Sequence, residues 1–173
     1  PIVVGERPNI PDTPPDRLNL FIGISKSRSA YKGTDIMLRA AETVKEHYPD
    51  KLNLKLVTGL PFDEYVRTML GSDAIMDQLY SYTPSMNPLE AMAHGIICIG
   101  GGEPENYAIL NETVIHPIIN VLPTYESCVE ELTKLVNNLS LVPSLRRQSY
   151  EYVRKHHDFI KVAQAYIELY RGL

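Results

Sequence analysis

The spacing of apolar and polar positions changes period several times along the chain. Residues 18–24, LNLFIGI, are apolar almost throughout, which fits a strand covered on both faces of a sheet. A polar, basic stretch follows, SKSRSAYKG (25–33). Ile36, Met37, Ala40, Ala41 and Val44 then recur at helical spacing and predict a helix capped by Thr34, with Asp35 in its first turn and Pro49-Asp50 at its end. LNLKLV (52–57) predicts a second strand, closed by Thr58-Gly59. Pro61 opens a helix whose apolar stripe is Tyr65, Val66, Met69 and Leu70. AIMDQL (74–79) predicts a third strand and IICI (96–99) a fourth. Between them Pro88 starts a short helix, PLEAMAH, that Gly95 stops. PENYAIL (104–110) reads as another short helix, and VIHPIINV (114–121) as holding a short edge strand, because Pro117 lacks the N–H a central strand needs. Three amphipathic helices close the chain, near 124–138, 142–157 and 159–171; the last places Phe159, Val162, Ala163, Tyr166, Ile167 and Tyr170 on one face.

Strands alternating with helices predict an α/β fold: a Rossmann-like, doubly wound parallel sheet with helices on both faces and the C-terminal helices packed at its end. There is no internal repeat or low-complexity tract, and 173 residues suffice for one domain with a real core. The first sixteen residues hold five prolines, so residues 1–17 read as a linker or the end of an upstream domain, leaving 18–173 as the folded unit. With no initiating Met, the chain reads as a piece of a longer protein. No apolar run approaches the roughly 18 residues that span a bilayer, and the proline-rich start is not a signal peptide.

Composition narrows the class. Apolar residues make up 44% and charged residues 22%, the balance of a soluble globular protein. A net charge of −4 gives no electrostatic case for nucleic acid or an anionic membrane. Cys98, inside IICI, reads as a buried thiol rather than a disulfide partner, and neither it nor Cys128 has a zinc spacing. A reducing, cytoplasmic compartment fits. His94, His116, His156 and His157 are scattered without metal-ligand spacing and read as solvated or core histidines.

In parallel sheets ligands bind beyond the carboxyl ends of the strands, so three loops are candidates: SKSRSAYKG, SYTPSMN and GGGEPE. Lys26, Arg28 and Lys32 are either a solvated loop or cations that close on a diphosphate. SYTPSMN delivers a helix N-terminus whose free N–H groups can hold an anion. Glu90 in that first turn either complements the helix dipole or accepts bonds from two neighbouring sugar hydroxyls. Gly100, Gly101 and Gly102 serve either a close approach to a ligand or a tight turn. There is no GxGxxG, GxxxxGK[ST] or GxSxG, which argues against dinucleotide, P-loop and nucleophile-elbow chemistry.

The three loops together resemble the C-terminal, nucleotide-sugar-binding domain of retaining glycosyltransferases of the GT-B fold, the group 1 transferases. The resemblance rests on Lys26 followed by Lys32-Gly33, on Leu89 to Ala93 with Gly95 as LEAMA-x-G, and on Gly101 to Glu105 as GG-x-PE. It spans residue 18 to the end. It implies that Lys26 and Lys32, with Arg28 as a substitute, hold the donor diphosphate. Backbone N–H groups of Ser85, Met86 and Asn87 would meet phosphate or sugar oxygens, Glu90 would bind the ribose, and Gly100 to Gly102 would line the donor site. The family's first glutamate, eight residues before Glu90, falls on Tyr82, so Tyr82, Glu103 and Glu105 mark the donor-sugar side. A branch of the family with an Asp-Gln-Leu strand end also lacks that glutamate, and Asp77-Gln78-Leu79 matches it. The stretch from 52 to 77 is short by about one strand-helix unit where the family frames the base. The implied activity is transfer of a sugar from a nucleoside diphosphate, in bacterial polysaccharide or glycoconjugate synthesis, to an acceptor held by an N-terminal domain. Work at the inner face of a membrane is compatible with it. No metal or other cofactor is expected, because cations do the electrostatic work. The rival reading is a degenerate binding or interaction module, with Tyr82 as the mark of decay.

Overall fold

The structure, a computed structural model, describes residues 1–25 and 27–172. Strand β1 (Leu18–Ile24) is an interior strand of the sheet, with apolar side chains on both of its faces. Leu18, Leu20 and Ile22 enter one core and Phe21 the other, all fully buried, as a period of two requires. Burying one such Phe side chain stabilises by about 1.5–3 kcal/mol. Tyr65 meets Phe21 edge-on at 5.1 Å.

Around β1 the sheet runs β2-β1-β3-β4-β5, all parallel. The other strands are β2 (Leu52–Thr58), β3 (Ala74–Met76), β4 (Ile97–Gly100) and β5 (Ile119–Asn120). The chain leaves β1 for β2 on one side and returns to β3 on the other, so the strand order reverses between β1 and β3. β5 is an edge strand, as Pro117 led one to expect. α1 (Ser29–Lys32) and α2 (Thr34–His47) follow β1; α3 (Phe62–Leu70) follows β2; α4 (Met86–Ala93) and α5 (Pro104–Ile109) follow β3 and β4. α6 (Tyr125–Val136), α7 (Val142–His156) and α8 (Phe159–Arg171) close the chain. One core joins β1, β3 and β4 to α2 and α6; on the opposite face, α3 packs on Phe21 and Ile75, and α4, α5 and α7 pack around Cys98 and Tyr152. Both cysteines are buried free thiols; burial pushes the Cys128 thiol up to about 11. No helix among the described residues is long and apolar enough to cross a membrane.

Four local expectations are corrected. Gly33, not Thr34, stands at the N-cap of α2, and the Thr34 hydroxyl lies 3.0 Å from that of Ser29. β3 stops at Met76, because Asp77 turns to bind side chains outside the sheet. α4 starts at Met86 with Ser85 at its N-cap, so Pro88 sits inside the first turn. α6 and α7 pack on the sheet layers, but α8 carries no buried residue; Tyr166, Ile167 and Tyr170 stay exposed because the helix leaves the end of α7 beyond the strands. The proline-rich start runs along α7: Ile2 is buried, its N–H donates to the His157 carbonyl at 2.7 Å, and Arg147 pairs with Asp12 at 2.8 Å.

Three of the histidines scattered in sequence, His116, His156 and His157, gather in space around Tyr107 and Tyr152. His116 and His156 lie beside Tyr107 and Tyr152, near Glu112, whose side chain is fully buried. The Glu112 carboxylate contacts Lys155 and His156 at 2.6 Å each and accepts the Val114 and Ile115 N–H groups. Bonds from Lys155 first, then His156 and the Ile115 N–H, hold this carboxyl well below the usual carboxylate range, against the opposing effect of burial. A depressed folded-state pKa gives stability that is present above the unfolded value, about 4.3, and is lost as pH falls toward the folded one. Unfolding free energy, followed against pH, should therefore fall below about pH 4.5 in the wild type and fall less steeply in Glu112→Gln. That variant should also be less stable at pH 7, by about 1.5–3 kcal/mol, the worth of a hydrogen bond to a charged group.

Candidate functional site

A cavity of about 720 Å³ opens at the carboxyl ends of β1, β2 and β3, where the strand order reverses. Ser25, Ser27, Arg28 and Lys32 wall it on one side, Val57 to Leu60 on another, and Tyr65, Asp77 and Asn87 on the third.

Lys32 is fixed at both ends. Its carbonyl accepts the Leu79 N–H at 2.8 Å. Gly33 then takes a left-handed φ of 71°, and a Cβ there would lie 2.7 Å from the Leu79 Cβ, so both backbone angle and space demand glycine. The Lys32 Nζ donates to both oxygens of Asp77, 2.9 Å each. Asp77 is buried and accepts two further bonds, from the Ser85 hydroxyl at 2.9 Å and the Asn87 amide at 3.3 Å. Asn87 also donates to the Tyr65 hydroxyl at 2.8 Å. Burial pushes the Tyr65 phenol above its ordinary value of 10.0; the Asp77 charge adds to this and the Asn87 bond opposes it.

The start of α4 is open. Ser85 occupies the N-cap with extended backbone, yet its hydroxyl points to Asp77 and makes no capping bond. Leu89 donates to the Ser85 carbonyl at 3.1 Å and Pro88 has no N–H. The N–H groups of Met86 and Asn87 thus lack a protein acceptor among the described residues.

The sequence-predicted residues divide into two groups. Arg28, Lys32 and Asn87 reach the large cavity, with Ser85 and Met86 at the helix start beside it. Lys26 lies outside the described residues. Glu90 sits nearly one turn along α4 from Asn87, half-exposed, 3.6 Å from His94 and off the cavity wall. The second group surrounds the glycine turn. A Cβ on Gly101 would overlap the Ser81 carbonyl and one on Gly102 would meet Ile118, so these glycines form a packing seam under the 80–82 loop; Gly100 packs beside the Gln78 carbonyl. Tyr82 and Glu103 line a separate cavity of about 270 Å³ with Tyr80 and Pro123. Glu105 is exposed in the first turn of α5.

Two residues at the centre of the large cavity escaped the sequence reading as site residues. Tyr65 was assigned to an apolar stripe, and Asp77 served only as the sign of a family branch. A signal for Asp77 existed: an acid at the carboxyl end of an apolar strand in a parallel sheet points at the ligand side.

No family model and no curated protein matches the chain by sequence. Its fold is that of the C-terminal domain of GT-B glycosyltransferases. The C-terminal domain of LpcC, a group 1 family glycosyl transferase from Francisella tularensis, is 17% identical, with a TM-score of 0.62 over 84% of this chain and 88% of that one. HepE from Anabaena, solved with UDP and glucose, is 11% identical, with a TM-score of 0.60 over 91% of this chain and 49% of its own. TarM from S. aureus, solved with UDP, is 12% identical, with a TM-score of 0.66 over 95% of this chain and 38% of its own. The chain spans about half the length of HepE, and 44% of WaaG, a glycosyltransferase involved in lipopolysaccharide biosynthesis.

The placing of Lys32 can be tested through its neighbour. Gly59 has a similar φ of 67° with nothing near its Cβ position, so Gly59→Ala carries only the left-handed strain, about 1–2 kcal/mol. Gly33→Ala adds the collision with Leu79 and should cost about 1–3 kcal/mol more in urea unfolding.

Proposed function

We propose that this chain is the donor-binding half of a retaining glycosyltransferase, which transfers a sugar from a nucleoside diphosphate to an acceptor held by a second domain. The observation that carries the proposal is the cavity at the strand-order reversal, whose wall Lys32 and Arg28 share with Asn87, from the first turn of a helix whose N-cap side chain makes no capping bond. Cations on one side and aimed N–H groups on the other suit a diphosphate. In that reading Lys32, Arg28 and the α4 N–H groups stabilise the charge that develops on the leaving diphosphate. Glu90 takes the ribose hydroxyls; its 3.6 Å approach to His94 is too long for a hydrogen bond and leaves the carboxylate free to accept them. Tyr82 and Glu103 border the sugar side. Retention places acceptor and leaving phosphate on the same face of the sugar. The donor domain alone then binds the nucleotide without turning it over. The fold neighbours found with UDP support this reading, and a role in glycoconjugate synthesis follows it.

Calorimetric titration of the chain with UDP, GDP and ADP tests the proposal. One nucleotide should bind saturably, and Lys32→Ala and Glu90→Ala should each weaken it about tenfold or more, the loss expected for a charge-assisted bond. Silence from all three nucleotides at millimolar concentration would favour a binding module that has lost the donor site.

A further inference from the structure

We infer that Asp77 is the positioning residue of the proposed diphosphate site, and that it acts by holding the Ser85 hydroxyl away from the start of α4 while it aims Lys32. The inference rests on the donor-site reading above. At first sight the carboxylate is out of place. It is 2% exposed, sits in the wall of a cavity proposed for an anion, and pairs with Lys32, one of the cations that line it among the described residues. Its bonds explain it. One oxygen accepts from Lys32 and Asn87, the other from Lys32 and Ser85. The carboxylate is thus saturated by the protein and offers nothing to a ligand. From its place just after β3 it ties the end of α1 to the start of α4.

The Ser85 bond matters most. Serine at an N-cap ordinarily accepts from an N–H of the first helical turn. Here the backbone of Ser85 is in the capping position and the hydroxyl donates to Asp77 instead. The helix-start N–H groups stay open for a ligand as long as Asp77 is charged. Remove that charge, and the hydroxyl turns to accept the Asn87 N–H, since Pro88 has none, and takes that donor from the anion site. Lys32 loses its anchor in the same step.

The test separates this role from simple charge. Pyrophosphate and the nucleotide selected by titration are bound to wild type, Asp77→Asn and Asp77→Asn/Ser85→Ala, with thermal melting to check folding. If Asp77 only contributes a negative charge beside an anion site, Asp77→Asn tightens binding. The positioning role requires the opposite, a loss of about tenfold or more. It also requires that the added Ser85→Ala recover part of the loss, since no hydroxyl is left to close the helix. Binding by Asp77→Asn as tight as wild type, or a double variant no better than the single one, overturns the inference while leaving the donor site intact. A wild type that binds neither pyrophosphate nor any nucleotide overturns the donor reading itself and this inference with it. Should Asp77→Asn fail to fold, the wild type decides. The ¹⁵N-detected Lys32 ammonium should exchange more slowly than those of exposed lysines, and equal exchange overturns the role.

Discussion

The bidentate contact between Lys32 and Asp77 organises the functional end of this sheet. It joins the last residue of α1 to the first residue after the buried strand β3, across the point where strand order reverses. One side of the cavity is registered to it. Leu79 fixes the Lys32 backbone just after Asp77 leaves the sheet, Gly33 permits the approach, and Ser85 and Asn87 bring the start of α4 to the same carboxylate. Tyr65 completes the wall by way of Asn87.

A partly buried ion pair of this kind is weak support for stability, because desolvation of two charges offsets much of their attraction. Its value lies in geometry. An ammonium on four carbons has many rotamers, and one that must meet a phosphate is most useful when already fixed. The cost of that fixing is shared by hydrogen bonds that satisfy the carboxylate. The fold supplies the rest, since the apolar strands β1 and β3 hold their carboxyl ends side by side.

Much of the fold was legible because its strands are short runs, mostly apolar or alternating: β1 and β2 fall almost where LNLFIGI and LNLKLV place them. The misreadings have tertiary causes. AIMDQL reads as one strand in sequence, but the strand ends at Met76, where Asp77 turns to its side-chain partners. Thr34 is a good cap by residue type, but the Leu79 contact sets Gly33 in that place. α8 has the periodicity of a packed helix, yet none of its residues is buried; it meets the rest of the described chain chiefly at the end of α7. At the site, cation-rich loop and helix start were readable from residue type and spacing, and Arg28, Lys32 and Asn87 do meet at one cavity. The glycine turn offered two readings, and the Ser81 carbonyl and Ile118 account for Gly101 and Gly102 by packing alone. Asp77 was hidden because its importance lies in four bonds to residues distant in sequence.

The central claim is that a diphosphate sits between Lys32 and the open start of α4. The most direct measurement is an amide NMR map of the chain titrated with inorganic pyrophosphate. The account expects the largest shifts at the Met86 and Asn87 N–H groups and in the loop carrying Arg28 and Lys32, saturating together at one affinity. Shifts confined to scattered surface lysines, or centred on the α7–α8 end of the molecule with the α4 start silent, would contradict it.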